Sequence, residues 1–221
     1  MPIDQRQQPV PDRSSARVHL TIGLVSLSLV VALSESSMRG QQAPPPPVVQ
    51  PFNDGADWVL VQPFTYTIGQ TSYQVTVPAG FVTDFASIPA PLRGLLSPTG
   101  QEGRAAIVHD YLYWEQRCTR DQADWILRLG MIESHVKLVT RQAVYWAVRA
   151  AGESAWTGNA ADREKGFPRV IPAKDIATIP ALAVWPEFRR LLFERGVRDE
   201  RPTGQPPAYC AAAMNIEVND R

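Results

Sequence analysis

Residues 107–113 read IVHDYLY, and after a short polar break residues 120–124 read RDQAD. The apolar residues of both stretches recur at three- and four-residue steps, which is typical of α-helices, and Thr119 is a residue type that caps helix N-termini. Two consecutive antiparallel helices are therefore predicted. A chain that reverses between them brings the Asp124 carboxylate back alongside the His109 imidazole.

The same periodicity extends outward to three helices, over residues 104–116, 120–134 and 138–151. Gly152 follows the third helix, where a left-handed glycine commonly ends one. The apolar stripes of the three helices predict the core. Their members are Ile107, Tyr111, Trp114, Trp125, Leu129, Ile132, Val139, Ala143, Trp146 and Ala150.

Upstream of the helices, residues 58–61 and 73–77 are strand-like, and Gly69 and Gln70 between them provide a turn. These features predict a β-hairpin, followed by a structured loop over residues 78–89. One amphipathic helix is predicted near residues 186–195, and the residues after Asp199 are predicted to form a loose tail. The predicted fold class is α+β: a β-hairpin, a three-helix core, an extra C-terminal helix and disordered tails.

The chain divides into four parts by composition. Residues 20–34 are uncharged and follow several arginines, so residues 1–34 are interpreted as a cleaved signal peptide, a short membrane anchor or an ordinary buried helix. The first two interpretations place the domain outside the cytoplasm, secreted, periplasmic or anchored by residues 20–34. Residues 35–56 are a proline-rich spacer, residues 57–152 the core domain, and residues 153–221 a C-terminal extension.

Charge and cysteine content restrict the function further. Lysine plus arginine (22) equals aspartate plus glutamate (22), so the chain lacks the broad basic field that holds nucleic acid. No nucleic-acid partner is expected. Cys118 and Cys210 fit either a single disulfide, which belongs to an oxidising compartment, or two unpaired apolar side chains.

The predicted helix pair carries the parts of a water-activating site. His109 can take a proton from water, a carboxylate at Asp124 can orient the imidazole, and a cation near Asp110 can stabilise the developing oxyanion. Tyr113 lies one turn beyond His109 and can hydrogen-bond Asp124. The alternative is structural: His109 and Asp110 brace the helices, and Asp124 pairs with Arg120 at a spacing of four.

Four segments resemble a known family in order and spacing: GFVTDFASIP at 80–89, HDYLY at 109–113, AD at 123–124 and YWAVRAAG at 145–152. Together they are similar to the uncharacterised phage and bacterial family called domain of unknown function 1353. The resemblance covers about residues 58–152. It implies the fold of that family but no activity, because none is established for it.

The helical part also resembles, more distantly, the secreted phospholipases A2 of bacteria and fungi. That resemblance implies His109 as general base, Asp110 as a calcium ligand, Asp124 as the partner of His109, and Tyr113 as a support for Asp124. The glycine-rich calcium loop and the flanking cysteines of those enzymes have no counterpart before Cys118. Asp84 can supply a further oxygen to Ca²⁺, or it can organise its loop as an Asx-turn.

These observations support two functional hypotheses. The first is a calcium-dependent phospholipase A2-like acyl hydrolase acting on phospholipid or a membrane surface outside the cytoplasm. The second is a non-catalytic, phage-derived envelope or assembly module in which the same polar residues are structural. A metal phosphohydrolase needs more histidines than the three present, and His135 is interpreted as a solvent-facing helix C-terminal cation. The oligomeric state and the lipid are left open.

Overall fold

The computed structural model describes residues 46–69, 71–85 and 103–218, and everything below refers to them. They form five strands and six helices in an α+β arrangement, which confirms the predicted fold class. The strands are β1 (Val49–Pro51), β2 (Trp58–Leu60), β3 (Phe64–Thr67), β4 (Gln74–Val77) and β5 (Val82–Thr83). The helices are α1 (Gly103–Glu115), α2 (Arg120–Glu133), α3 (Leu138–Glu164), α4 (Ala173–Ile176), α5 (Trp185–Glu194) and α6 (Ala208–Ala213).

The strands form two small antiparallel sheets. A β-hairpin is present, but β4 pairs with β3, whereas the prediction paired it with the strand at 58–61. That strand, β2, is instead the centre of the other sheet, between β1 and β5, where Val59 and Leu60 are both fully buried. Because the shorter connection joins β3 to β4, the local pair forms the hairpin. Strand β1 also shows that the predicted spacer contributes its last residues to the fold.

Helix α1 lies at the centre of the core, with ten of its thirteen residues buried. It packs closely against α2 at Gly130. A Cβ atom at that position would lie only 2.8 Å from the Cβ of Ala105, so the approach requires glycine. The predicted cap is confirmed: the Thr119 hydroxyl accepts from the Gln122 backbone, and the Gln122 side chain accepts from the Thr119 backbone. This capping box fixes where the chain reverses between α1 and α2.

Helix α3 corrects two predictions. It does not end at Gly152 but continues to Glu164, because Gly152 is buried inside the helix where the Tyr113 ring packs on it. Its buried face is also different from the predicted stripe, since Val139, Trp146 and Ala150 are exposed. The face that packs on α1 and α2 instead contains Arg141, Val144, Val148 and Gly152.

The C-terminal region is more ordered than predicted. Helix α5 confirms the helix expected near 186–195, and it packs in a second apolar cluster with Phe52 and Val59. The predicted loose tail after Asp199 is wrong for the described part, because α6 packs on α2 and the Trp125 indole donates to the Ala213 carbonyl. Cys118 and Cys210 form a disulfide with 5.3 Å between their Cα atoms, which resolves the open alternative and ties α6 to the core.

The expected leader, residues 1–34, and most of the spacer lie outside the described residues. Within the described ranges, none of the helices combines the length and apolar character needed to cross a bilayer.

Candidate functional site

The imidazole of His109 and the carboxylate of Asp124 meet at the α1–α2 interface. His109 Nε2 lies 2.9 Å from Asp124 Oδ1, so the two side chains are adjacent, as the helix reversal predicts. Both side chains are buried, at 2% and 0% exposed. An ionised carboxylate can only accept, so Nε2 carries the hydrogen of this bond. In neutral His109 the other ring nitrogen, Nδ1, is then the proton acceptor.

Asp124 is held by two further helices. Tyr113 of α1 donates its hydroxyl to Oδ1 at 2.7 Å, and Arg149 of α3 donates to Oδ2 at 2.8 Å. Arg120 is also within 3.5 Å of Oδ2, so the contact that the structural alternative predicts is present as well. Tyr113 can reach Asp124 because position 152 is glycine: a Cβ there would lie 2.5 Å from the Tyr113 hydroxyl oxygen.

These contacts keep Asp124 ionised. Burial alone raises the pKa of a carboxyl group, but the hydrogen bonds from His109, Tyr113 and Arg149 outweigh it, and the net pKa of Asp124 lies below its ordinary value. Burial and the Asp124 charge together raise the pKa of Tyr113 well above that of free tyrosine, so its hydroxyl stays a donor. The tautomer of His109 is therefore fixed by a permanent negative charge.

His109 also lines a small cavity. Nδ1 is buried and has no hydrogen-bond partner among the described residues. The cavity has a volume of about 10 Å³, close to the roughly 10–15 Å³ that one water molecule needs. Its lining consists of His109, Asp110, Tyr113, Val148, Gly152, Ala155, Asn159 and Arg169. The geometry thus offers one water-sized space beside His109, instead of the open cleft that the sequence suggests.

Asp110 borders the same cavity from the next position of α1. Its Oδ2 accepts a hydrogen bond from the Thr83 hydroxyl of β5 at 2.5 Å. The Thr83 hydroxyl oxygen in turn accepts from the Phe85 backbone at 3.0 Å. This chain joins the loop after β5 to α1 and fixes the orientation of the Asp110 carboxylate beside His109.

Asp84, the second predicted calcium ligand, faces a guanidinium group. Its Oδ1 lies 3.8 Å from an Nη nitrogen of Arg169. Burial raises the pKa of Asp57 to about 6, and the charges of Asp54 and Asp84 add to this rise, so several negative charges share the region. No group of three or more histidine, cysteine or acidic side chains in residues 46–69, 71–85 and 103–218 is arranged around a metal position. Calcium binding at Asp84 and Asp110 stays a prediction.

Three residues near the site were not predicted from the sequence: Arg149, Asn159 and Arg169. Arg149 stands in the segment 145–152 whose pattern marked the family, and it also contacts Asp121 at 2.6 Å. The sequence does not show the contact of Arg149 with Asp124, because that contact depends on how α3 packs on α2. Asn159 and Arg169 lie in the C-terminal extension, where no local pattern connects them to His109. The only sequence signal that bears on Arg169 is Gly80, whose close packing against Ile171 brings the extension to β5.

Comparison with known proteins adds one finding. Residues 58–148 match a family described as "Protein of unknown function (DUF1353)". No curated protein and no solved structure matches the chain. The match confirms the domain of unknown function predicted over about residues 58–152, whereas the resemblance to phospholipase A2 stays a prediction.

Proposed function

We propose that the His109 cavity, in a chain whose residues 58–148 match the DUF1353 family, hydrolyses an ester bond of a lipid. One observation carries the proposal. His109 Nε2 is bound to a buried, ionised aspartate, while Nδ1 has no hydrogen-bond partner among the described residues and His109 lines a water-sized cavity. This is the arrangement that a general base needs, because one nitrogen is oriented and the other is left to take a proton.

The residues perform the reaction as follows. A water molecule in the cavity gives a proton to Nδ1 of His109 while its oxygen attacks the carbonyl carbon of the ester. The electron pair of the C=O bond moves to the carbonyl oxygen, and Asp124 stabilises the imidazolium that forms at His109. When the tetrahedral intermediate collapses, the ester C–O bond breaks and Nδ1–H protonates the leaving alcohol. The products are a carboxylic acid and an alcohol, and neutral His109 is regenerated.

The substrate class follows from two sequence observations. The positions of His109, Asp110, Tyr113 and Asp124 resemble those of secreted phospholipases A2, so the proposed substrate is a phospholipid acyl ester. The uncharged segment 20–34 supports action outside the cytoplasm or at a membrane surface. In this proposal Asp110 with Asp84 would hold Ca²⁺, which would supply stabilisation of negative charge on the substrate.

The test is fatty-acid release from phosphatidylglycerol and phosphatidylcholine vesicles. His109→Asn replaces the imidazole with a smaller, uncharged amide that is not a base, so its turnover is expected to fall about 100-fold or more. His135→Asn, at an exposed position after α2, is the matched control and is expected to keep wild-type turnover. Each protein is assayed with millimolar Ca²⁺ and with a chelator, and its melting temperature is recorded.

Three outcomes decide the proposal. Loss of release in a His109→Asn variant that still unfolds in one cooperative transition supports it. Release that is equal with Ca²⁺ and with chelator removes calcium from the proposal but leaves the role of His109 in place. No release by the wild-type protein under either condition overturns the proposed hydrolase.

The alternative function is a non-catalytic envelope or assembly module, and the burial of the site favours it. His109 and Asp124 are almost fully shielded from solvent, and the carboxylate joins α1, α2 and α3 through its hydrogen bonds. In that case there is no fatty-acid release for His109→Asn to abolish, and the variant only lowers the melting temperature by several degrees, because a buried hydrogen bond is lost.

A further inference from the structure

The mouth of the His109 cavity is formed by residues that follow the family match. His109, Tyr113 and Gly152 form its buried floor, whereas Asn159 and Arg169 are partly exposed. Arg169 is therefore one of the lining residues that a molecule can reach from solvent. Asn159 and Arg169 both lie beyond residue 148, where the match to the family ends.

The Arg169 side chain is held in place at the mouth. Its Nε donates to the Val82 carbonyl at 2.9 Å, and Nη1 donates to the Asn159 side-chain oxygen at 3.1 Å. The guanidinium carbon lies 5.7 Å from the centre of the Phe81 ring. The side chain is only 13% exposed. A charge fixed in this way loses little conformational freedom when it binds a ligand.

One end of this guanidinium remains available for a ligand. Nη2 lies 3.8 Å from the nearest Asp84 oxygen, which is beyond hydrogen-bond distance. Among the described residues, Nη2 has no hydrogen-bond acceptor. The Nη2 atom of an arginine carries only N–H donors. It can therefore donate only to an acceptor that a ligand or a water molecule brings.

The backbone of Arg169 is as well fixed as its side chain. The Val82 backbone donates to the Arg169 carbonyl, and the Ile171 backbone donates to the Gly80 carbonyl, so residues 169–171 run along β5. This approach requires glycine at position 80, because a Cβ there would lie 1.9 Å from the Ile171 carbonyl oxygen. Asp199 also accepts from the Arg169 backbone at 2.7 Å.

We propose that Arg169 binds the carbonyl oxygen of the substrate and stabilises the negative charge that it gains during hydrolysis. This inference rests on the proposed hydrolase. In the step described above, the electron pair of the C=O bond moves to the oxygen, and Nη2–H of Arg169 donates to that oxyanion. Fixed donors directed at a developing charge lower the barrier more than mobile ones, because they need no reorganisation. Arg169 does so whether or not a metal binds at Asp110.

The experiment compares Arg169→Gln and Arg169→Lys with Arg190→Gln, which changes an exposed arginine of α5. Turnover on phospholipid vesicles is expected to fall about 100-fold in Arg169→Gln, as for the loss of one oxyanion donor, and to be unchanged in Arg190→Gln. Arg169→Lys keeps the charge without the planar fork and is expected to lie between them. Melting temperatures report whether each variant folds, and if Arg169→Gln does not, Arg169→Lys carries the comparison.

A second readout is independent of turnover: calorimetric binding of a short-chain phosphonate that mimics the tetrahedral intermediate. Wild type and His109→Asn are expected to bind it, and Arg169→Gln to bind it at least ten-fold more weakly. If wild type binds through Arg169 but hydrolyses nothing, the hydrolase fails and the anion site stands. If Arg169→Gln keeps both turnover and affinity, Arg169 only braces β5 and the inference is overturned. No phosphonate binding by wild type overturns it as well.

Discussion

At Asp124, side chains from two helices meet the carboxylate of a third. Oδ1 accepts from His109 and Tyr113 of α1, and Oδ2 accepts from Arg149 of α3. Removing one partner of a buried ion pair costs roughly 3–5 kcal/mol, because the remaining charge is left without compensation. A variant at Asp124 therefore destabilises the protein under either proposed function. A variant at His109 separates the two functions, since only catalysis needs its free nitrogen.

Gly152 provides the first residue-scale prediction. Gly152→Ala puts a Cβ atom 2.5 Å from the Tyr113 hydroxyl and displaces the ring from Asp124. The expected loss in unfolding free energy is about 1–3 kcal/mol, the range for overpacked sites. Chemical denaturation measures it.

Gly158→Ala is the matched control in the same helix. A Cβ atom at position 158 has no neighbour within 4 Å, so the better helix propensity of alanine stabilises the protein by up to about 1 kcal/mol. The unfolding free energy is therefore expected to fall in Gly152→Ala and to rise in Gly158→Ala. A stabilising Gly152→Ala would show that Tyr113 can leave Asp124 without loss.

At the scale of elements, α3 illustrates how an apolar stripe can mislead. Val139, Ala143, Trp146 and Ala150 have helical spacing, yet Val139 is 80% exposed. The helix has a second apolar face on Val144 and Val148, where α1 and α2 pack, and in this packing Arg149 reaches Asp124. Periodicity identifies the helix but does not select between two apolar faces.

The same substitution, valine to alanine, is predicted to have different effects on stability on the two faces of α3. Val144→Ala empties space at a fully buried position and is expected to cost about 2 kcal/mol of unfolding free energy. Val139→Ala, at the exposed position, is expected to change it by about 0.5 kcal/mol or less. Urea titrations of both variants make the comparison. An equal cost at both positions would mean that the 139 face is covered in solution.

At the scale of the whole molecule, the C-terminal extension belongs to the same folded unit as residues 58–148, which match the DUF1353 family. Residues 169–171 run along β5, α5 packs in the cluster with Phe52, and the disulfide joins Cys118 to Cys210 across 92 residues of chain. The extension also brings Asn159 and Arg169 to the cavity. The candidate site therefore needs residues beyond 148 in addition to those that match the family.

The disulfide gives a prediction at this scale. A cross-link that closes a loop of this length restricts the unfolded chain, so Cys118→Ala with Cys210→Ala is expected to lower the unfolding free energy by about 2–5 kcal/mol. Thermal melts with and without dithiothreitol measure the effect. The reductant is expected to lower the melting temperature of wild type and to leave the double variant unchanged. A wild-type melting temperature that stays constant after the thiols are shown to be free would contradict this.

Local signals in the sequence were sufficient for the helices around the site. The apolar periodicity of α1 and α2, the Thr119 cap and the spacing of His109, Tyr113 and Asp124 all act within a few turns, where helix geometry determines which side chains share a face. The family pattern over residues 58–148 was readable for the same reason, because it consists of ordered local motifs.

Long-range packing settled the rest. The partner of β4, the buried face of α3, the Cys118–Cys210 pair and the arrival of Arg169 at the cavity depend on contacts between distant segments. Such contacts join segments that are far apart in the sequence, so they leave no periodic pattern in it. Several different pairings are compatible with the same local pattern. The one that forms is selected by the total buried area and by the hydrogen bonds that the whole chain can make.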